Sequence, residues 1–309
     1  SGAPAPATSG TTQQATLTGL IEGETYSFAL KSKDENGNVS PISNVVTHAV
    51  AYPGPKWYVN DTFGVSDTFS LAGGSDTGGN GTETRPFRTI SRALKSALSG
   101  DTIFIDAGLY GETVVIDTDR MNLIGKDSNA TVIDPPGPKT TVGLRGISAA
   151  NRSGLLIKNL GVTGAYDGIN FINVDNSTIT GDIFSGNGLN GIYLESSDTD
   201  NVNNNATDTT SNYGISLYLS TKNTIADKFV KLNSSGGILL QSCTGNTISN
   251  NTVQSNNPGD GIDLMTGSNS NVVKNNVVNS NAYGILVDGS SSNTLRQNTI
   301  GSNSFEGLT

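Results

Sequence analysis

The chain of 309 residues is poor in the side chains on which much catalytic and metal chemistry depends: it carries one Cys, one His, one Trp and two Met. A single cysteine, Cys243, excludes a disulfide scaffold. With His48 as the one imidazole, a Cys/His zinc site and a Ser-His-Asp triad in the second half are excluded as well. Charged residues make up only 15% and the net charge is −9. The basic stripe that displaces counterions from a phosphate backbone is therefore missing, and neither nucleic acid nor an anionic membrane is an expected partner. No apolar run reaches the ~18 residues of a membrane span. The start, Ser-Gly-Ala-Pro, has neither the charged nor the apolar segment of a signal peptide, which points to a trimmed piece of something longer.

What the chain has in quantity is glycine, 38 of it, together with Asn, Ser and Thr. These residues are ordered in a repeat. A Gly-Ile unit stands at Gly168, Gly191, Gly214, Gly237, Gly261 and Gly284, with Gly307-Leu308 opening a seventh; the steps are 23, 23, 23, 24, 23 and 23. A second apolar position keeps the step through Ile179, Val202, Ile225, Ile248, Val272 and Leu295. A third runs through Phe184, Val230, Val253, Val277 and Ile300, with Thr207 its one polar member. Three short apolar strands per 23 residues, separated by Asn/Ser/Gly turns, are too short for helical repeats and lack the leucine-rich spacing, so the expected fold is an all-β, three-sided parallel solenoid. Asn223, Asn246 and Asn293 share one phase and Asn251, Asn275 and Asn298 another, as turn residues bonding from coil to coil would.

Before the repeat, residues 1–14 read as a linker, too low in apolar content to hold themselves folded. Three strands are expected in 15–52. There Leu20, Gly23, Tyr26, Phe28, Asp34, Gly37, Asn38, Ser40, Ser43 and Asn44 resemble the C-terminal half of a fibronectin type III domain, with Tyr26 as its tyrosine corner. Pro53-Gly54-Pro55 marks a boundary. Residues 53–100 form the expected cap of the solenoid, with a helix at about 86–99 on which Phe87, Ile90, Leu94, Ala97 and Leu98 share a stripe; the coils occupy 101–309. The residues Tyr58-Val59, Gly79-Asn80-Gly81-Thr82, Arg85 to Ile90, Gly100-Asp101-Thr102-Ile103, Tyr110, Glu112 and Leu123-Ile124-Gly125 resemble the N-terminal part of right-handed parallel β-helix proteins of the pectate-lyase-like superfamily. The resemblance implies a helix-capped β-helix. It leaves activity open, because that superfamily spans lyases, hydrolases, epimerases and noncatalytic surface proteins.

In such helices a polysaccharide lies along an outward face. Outward positions of the Gly-Ile strand place Tyr193, Glu195, Tyr218, Asp263 and Asp288 on one face, a mixture of flat rings and carboxyl groups suited to a glycan. A uronate lyase would need a basic residue there, and Lys222, Lys228, Lys231, Lys274 and Arg296 all fall at other phases. A hydrolase needs two carboxyl groups, for which Asp260, Asp263 and Asp288 are the candidates. No cofactor is required by any of these readings. Calcium is an option at oxygen donors such as Asp76, Asp260 and Asp263. The leading expectation is a secreted or cell-surface noncatalytic scaffold or glycan-binding, adhesin-like module, the alternative a polysaccharide-active hydrolase or lyase. Because Gly307-Leu308-Thr309 opens a coil, further domains of the polypeptide or neighbouring subunits are expected partners.

Overall fold

A computed structural model describes residues 11, 17, 20, 25–34, 36–49, 55–62 and 67–309. The chain divides into two compact units, Ser1–Gly54 and Pro55–Thr309. In the first, strands Thr25–Phe28 and Val46–Ala49 pair antiparallel, with Tyr26 opposite His48. Between them Lys33 and Val39 meet through one bridge around Asp34, whose Oδ1 accepts the N–H groups of Asn36 and Asn38. Three strands were expected; among the described residues there are two. Most of the expected linker 1–14 lies outside the described residues.

The second unit is the anticipated right-handed, three-sided β-helix. Ten-, nine- and eight-stranded sheets, every pairing in them parallel, make a solenoid of about nine turns. Parallel stacking sets a rise of ~4.8 Å per coil, so equivalent side chains form ladders. Ile169, Ile192, Ile215, Ile238, Ile262 and Ile285 are fully buried in one, and Phe171, Leu194, Leu217, Leu240 and Leu264 in a second. The even step expected of the other two ladders needs correction. The rung after Ile248 is Val273, and the rung after Val253 is Val278, each fully buried, whereas Val277 is 38% exposed. One extra residue enters the turn near Pro258 and another near Gly267, and one is lost before Ile285, so a single 24-residue step conceals local steps of 25 and 22. The same slip puts Asn276, not Asn275, in its ladder.

The helix is Ile90–Leu94, shorter than expected. Thr89 caps it, its side chain accepting the Arg92 N–H, and the Glu112 carboxyl accepts the N–H groups of Ile90 and Ser91. Gly100 ends no long helix because Ala93 and Ala97 already close the last turn. Ile90, Ala93 and Leu94 bury the apolar stripe over the first coil.

Side chains at all three corners tie coil to coil. Asn251 N–H donates to Asn276 Oδ1 at 3.0 Å while Asn251 Nδ2 donates to the Ile225 carbonyl at 3.0 Å; Asn276 repeats both bonds, and Asn205 and Asn298 the second. A second amide ladder, Asn233, Asn256, Asn281 and Asn303, was not anticipated, and a third runs through Asn223, Asn246, Asn271 and Asn293. Beside the third lies a hydroxyl ladder, Ser197, Ser220 and Ser268, in which Cys243 takes one rung: its Sγ accepts the Ser220 N–H and donates to the Gln241 carbonyl. Each bond is worth about 1 kcal/mol net, and much more is lost if a buried partner is left unpaired. The repeat glycines are demanded by crowding. A Cβ on Gly191 would stand 2.6 Å from the Gly214 carbonyl oxygen and 2.9 Å from Thr207 Cγ2. We therefore expect Gly191→Ala to cost about 2 kcal/mol in chemical unfolding, whereas Gly301→Ala, which meets nothing within 4 Å, leaves stability unchanged; equal effects would contradict the packing account.

Two acids occupy asparagine rungs. Asp182 Oδ1 accepts the Leu160 N–H and Asp200 Oδ1 the Ser177 N–H, both at 2.7 Å, while Oδ2 of each, at the place of the asparagine Nδ2, has no partner. Burial pushes Asp182 up to about 8, against the pull of the Leu160 N–H and of Lys228. Burial likewise lifts Asp200 to about 7, with Asp175 and Asp198 adding to it. A protonated carboxyl is the closest mimic of a carboxamide, so the neutral forms complete the ladders. Because the folded values lie above the unfolded ones, these acids stabilise fully below about pH 4 and the contribution is lost as pH rises through 7 to 8. The melting temperature should fall between about pH 4 and 8 and level off above it, and Asp182→Asn or Asp200→Asn should flatten that slope and add about 2 kcal/mol at pH 8; an asparagine variant less stable than the parent at pH 8 would refute the assignment.

Candidate functional site

The outward face of the eight-stranded sheet carries two rows of side chains. Register aligns Asn170, Tyr193, Ser216, Leu239, Asp263 and Leu286 in the first, and Glu195, Tyr218, Gln241, Met265 and Asp288 in the second. First-row residues stand between the two buried ladders and second-row residues follow the second of them, so alternation along the strand fixes the outward direction. The five residues expected on one face are therefore together. Tyr193 and Asp263 lie three coils apart in one row, about 14 Å by strand spacing, and Glu195, Tyr218 and Asp288 lie in the other.

Two tyrosine hydroxyls engage this face. Tyr193 OH donates to Glu195 Oε2 at 3.0 Å, and Tyr213 OH donates to Asp263 Oδ2 at 3.1 Å from two coils away. The second contact depends on Gly236, where a Cβ would fall 2.5 Å from Tyr213 Cε1; a bare backbone lets the ring cross the intervening coil. Tyr213 has no rung in the apolar ladders, and the glycine one coil from Asp263, Gly236, is the mark it leaves in the sequence.

Asp263 is 1% exposed although it points outward, and its Oδ1 has no hydrogen-bond partner. Burial first, and then Asp260 nearby, push its carboxyl up to about 7, while the Tyr213 hydroxyl pulls it down. Asp260 Oδ1 accepts the Tyr283 N–H. At the other end of the same row Asn170 Nδ2 donates to Asp167, and Asn170 Oδ1, also buried, has no partner. Asp288 is exposed at the far edge. Asp76 lies in the cap: its Oδ1 accepts the N–H groups of Arg88 and Thr89 and its Oδ2 the Thr89 hydroxyl, so that carboxyl orders the approach to the helix.

A second concave surface, of about 500 Å³, runs along the nine-stranded sheet and went unnoticed in the sequence. Ile183, Ala206 and Phe229 line it, and Lys231 Nζ sits 5.2 Å from the centre of the Phe229 ring. The small Ala206 between two large neighbours is the signal that could have found it.

This is the architecture of the right-handed parallel β-helix proteins, and the chain is similar to solved members of that class. It matches a pectate lyase, Pel9A, at TM-score 0.56 and 14% identity over 81% of this chain and 80% of that one. It matches an alginate lyase from a Paenibacillus species at TM-score 0.57 and 15% identity over 71% and 96%. The complex of XylC with xylose gives 0.59 and 12% over 82% and 66%. Such identities establish the fold and nothing more. Among curated proteins no match is found. The chain belongs to the family described as periplasmic copper-binding protein (NosD), whose profile matches residues 94–269 and 233–309.

That description names copper, and the residues present do not fit it. Copper sites draw on imidazole, thiolate and thioether ligands. The chain has His48, Cys243, Met121 and Met265. His48 lies in the first unit, Cys243 and Met121 are fully buried in the solenoid, and among the described residues no three His, Cys, Asp or Glu side chains gather as a metal site would require.

If the Tyr213 hydroxyl holds the ionised form of Asp263, Tyr213→Phe should raise the Asp263 titration midpoint by about one unit, measured by NMR of the labelled carboxyl; an unmoved or lower midpoint would show that the bond does not govern that group.

Proposed function

We propose that this NosD-family chain is a periplasmic or extracellular scaffold that binds a glycan along the eight-stranded face without cleaving it. The observation that carries this reading is the pair of buried, outward-pointing oxygens without partners, Asn170 Oδ1 and Asp263 Oδ1, in one row that includes Tyr193. An unpaired buried acceptor is costly, and a hydroxyl-rich ligand satisfies it. Tyrosine rings offer flat apolar surface to a sugar, and the Tyr193 hydroxyl is already committed to Glu195. A periplasmic place accords with the family description, and no helix among the described residues is long and apolar enough to cross a membrane. The first unit is read as a fibronectin type III-like part that joins the scaffold to further domains or neighbouring subunits.

The absence of turnover is argued from how the acids are held. Glu195 is bonded to Tyr193, Asp260 to the backbone and Asp263 to Tyr213, and from Gly168 on the coil-length differences are single residues, which build no walls around a scissile bond; the long turn 134–146 lies at the Asn170 end, where Lys139 is tied to Gly186. One observation favours a second reading, a hydrolase. Asp263, protonated up to about pH 7 and beside Asp260, has the divergent environments that an acid and base pair uses.

The test is a glycan array and a depolymerisation screen on the same sample, with calcium and with chelator. Binding without new reducing or unsaturated ends is expected, and Tyr193→Ala with Tyr218→Ala should weaken it by about tenfold, the worth of one or two aromatic contacts. Product formation abolished by Asp263→Ala would establish the hydrolase instead, and calcium-dependent binding would place the ion at Asp260 and Asp263.

A further inference from the structure

The six upper strands of the candidate face, Ile169–Asp175, Ile192–Glu195, Tyr213–Tyr218, Gly236–Gln241, Asp260–Met265 and Ile285–Asp288, contain no lysine or arginine. They contain five acids: Asp175, Glu195, Asp260, Asp263 and Asp288. Over the same coils the other two sheets carry Lys231, Lys274 and Arg296. Single-signed charge is thus a property of one face and not of the solenoid. At its rims Lys222 stands opposite a turn that carries Asp198, and at the N-terminal end Lys139 Nζ is tied to the Gly186 carbonyl and Arg145 lies near Asp167.

Resting on the glycan-binding reading, we propose that the ligand of this face is an amino-sugar polymer carrying free ammonium groups. An ammonium donates three hydrogen bonds and accepts none, and the orphaned groups on the face, Asn170 Oδ1 and, in the ionised carboxyl that an ammonium favours, Asp263 Oδ1, are acceptors. Cations are drawn to the faces of tyrosine rings, which Tyr193 and Tyr218 supply. Glu195, bound through one oxygen to Tyr193, keeps the other for a ligand, and Asp288 is exposed. The coil repeat of ~4.8 Å sets equivalent contacts along an extended chain. A polyuronate on the same rows would bring carboxylate against carboxylate with no basic group between them, which like-charge repulsion opposes.

Calorimetry with the full chain distinguishes the possibilities, using glucosamine oligomers, their fully N-acetylated counterparts and oligogalacturonate of equal length, each with calcium and with chelator. The glucosamine oligomer should bind, the N-acetylated one at least about tenfold more weakly, and oligogalacturonate not at all. Glu195→Gln and Asp288→Asn should each weaken the glucosamine oligomer by about threefold or more, whereas Asp208→Asn, which removes the same charge from the nine-stranded sheet, should not. Equal or tighter binding of the N-acetylated oligomer or of oligogalacturonate, in either calcium condition, would overturn the proposal, as would an equal loss from Asp208→Asn. If all three oligomers fail while another glycan binds through Tyr193 and Tyr218, the amino-sugar inference falls and the glycan-binding face stands. If no glycan binds, both fall.

Discussion

The constraint on which the structure depends is the fixed rise of one strand spacing per coil. At ~4.8 Å, a side chain can bond its own copy in the next coil, and the corners exploit this with amides whose oxygen accepts from one coil and whose nitrogen donates to another. From Gly168 on the faces are free of long loops, and what a face presents is decided by which side chains stand in its outward rows. Tyr213 shows how tightly the two levels are joined: its reach to Asp263 exists because Gly236 leaves the intervening coil bare.

Substitutions within the ladders show where the regularity yields. Cys243 replaces a serine and keeps its two kinds of bond, Sγ accepting from the Ser220 N–H and donating weakly to one carbonyl where Ser220 and Ser268 each reach two. Asp182 and Asp200 replace asparagines by taking up a proton. Lys228 is a larger departure: it occupies an asparagine rung, is 3% exposed, and its Nζ has no hydrogen-bond partner. Burial holds that amine well below the usual lysine range, against the pull of Asp182 two rungs away and of Asp227. A lysine cannot accept the N–H that an asparagine Oδ1 would, and the ladder is weakest at that coil.

The fold was legible because its signal is periodic. The Gly-Ile step of 23 residues located six rungs of a buried ladder and the direction of every residue between them. Legibility failed where spacing was averaged: Val272, Val277 and Asn275 each fall one residue short of the true rung, because two insertions and a deletion within two coils nearly cancel in the glycine steps. The helix was overextended because Ala97 and Leu98 continue the apolar stripe although the last helical hydrogen bond is that of the Ala97 N–H to the Ala93 carbonyl. Of the candidate face, residues in register were found from the repeat alone. Tyr213 and Asn170 were not singled out, since their roles arise from contacts between coils and from a lone unpaired oxygen, neither of which leaves a pattern along the chain. The metal candidate Asp76 has its oxygens engaged by the Arg88 and Thr89 N–H groups and the Thr89 hydroxyl.

The central claim is that one of three chemically distinct faces takes the ligand. Hydrogen exchange of the full chain with and without a saturating glucosamine oligomer addresses it directly. Slowed exchange confined to Ile192–Glu195, Tyr213–Tyr218 and Asp260–Met265, with the strands of the other two sheets unchanged, is the predicted result. Protection centred on Phe229–Lys231 and Thr252–Gln254 would place the ligand on the nine-stranded sheet and contradict the account.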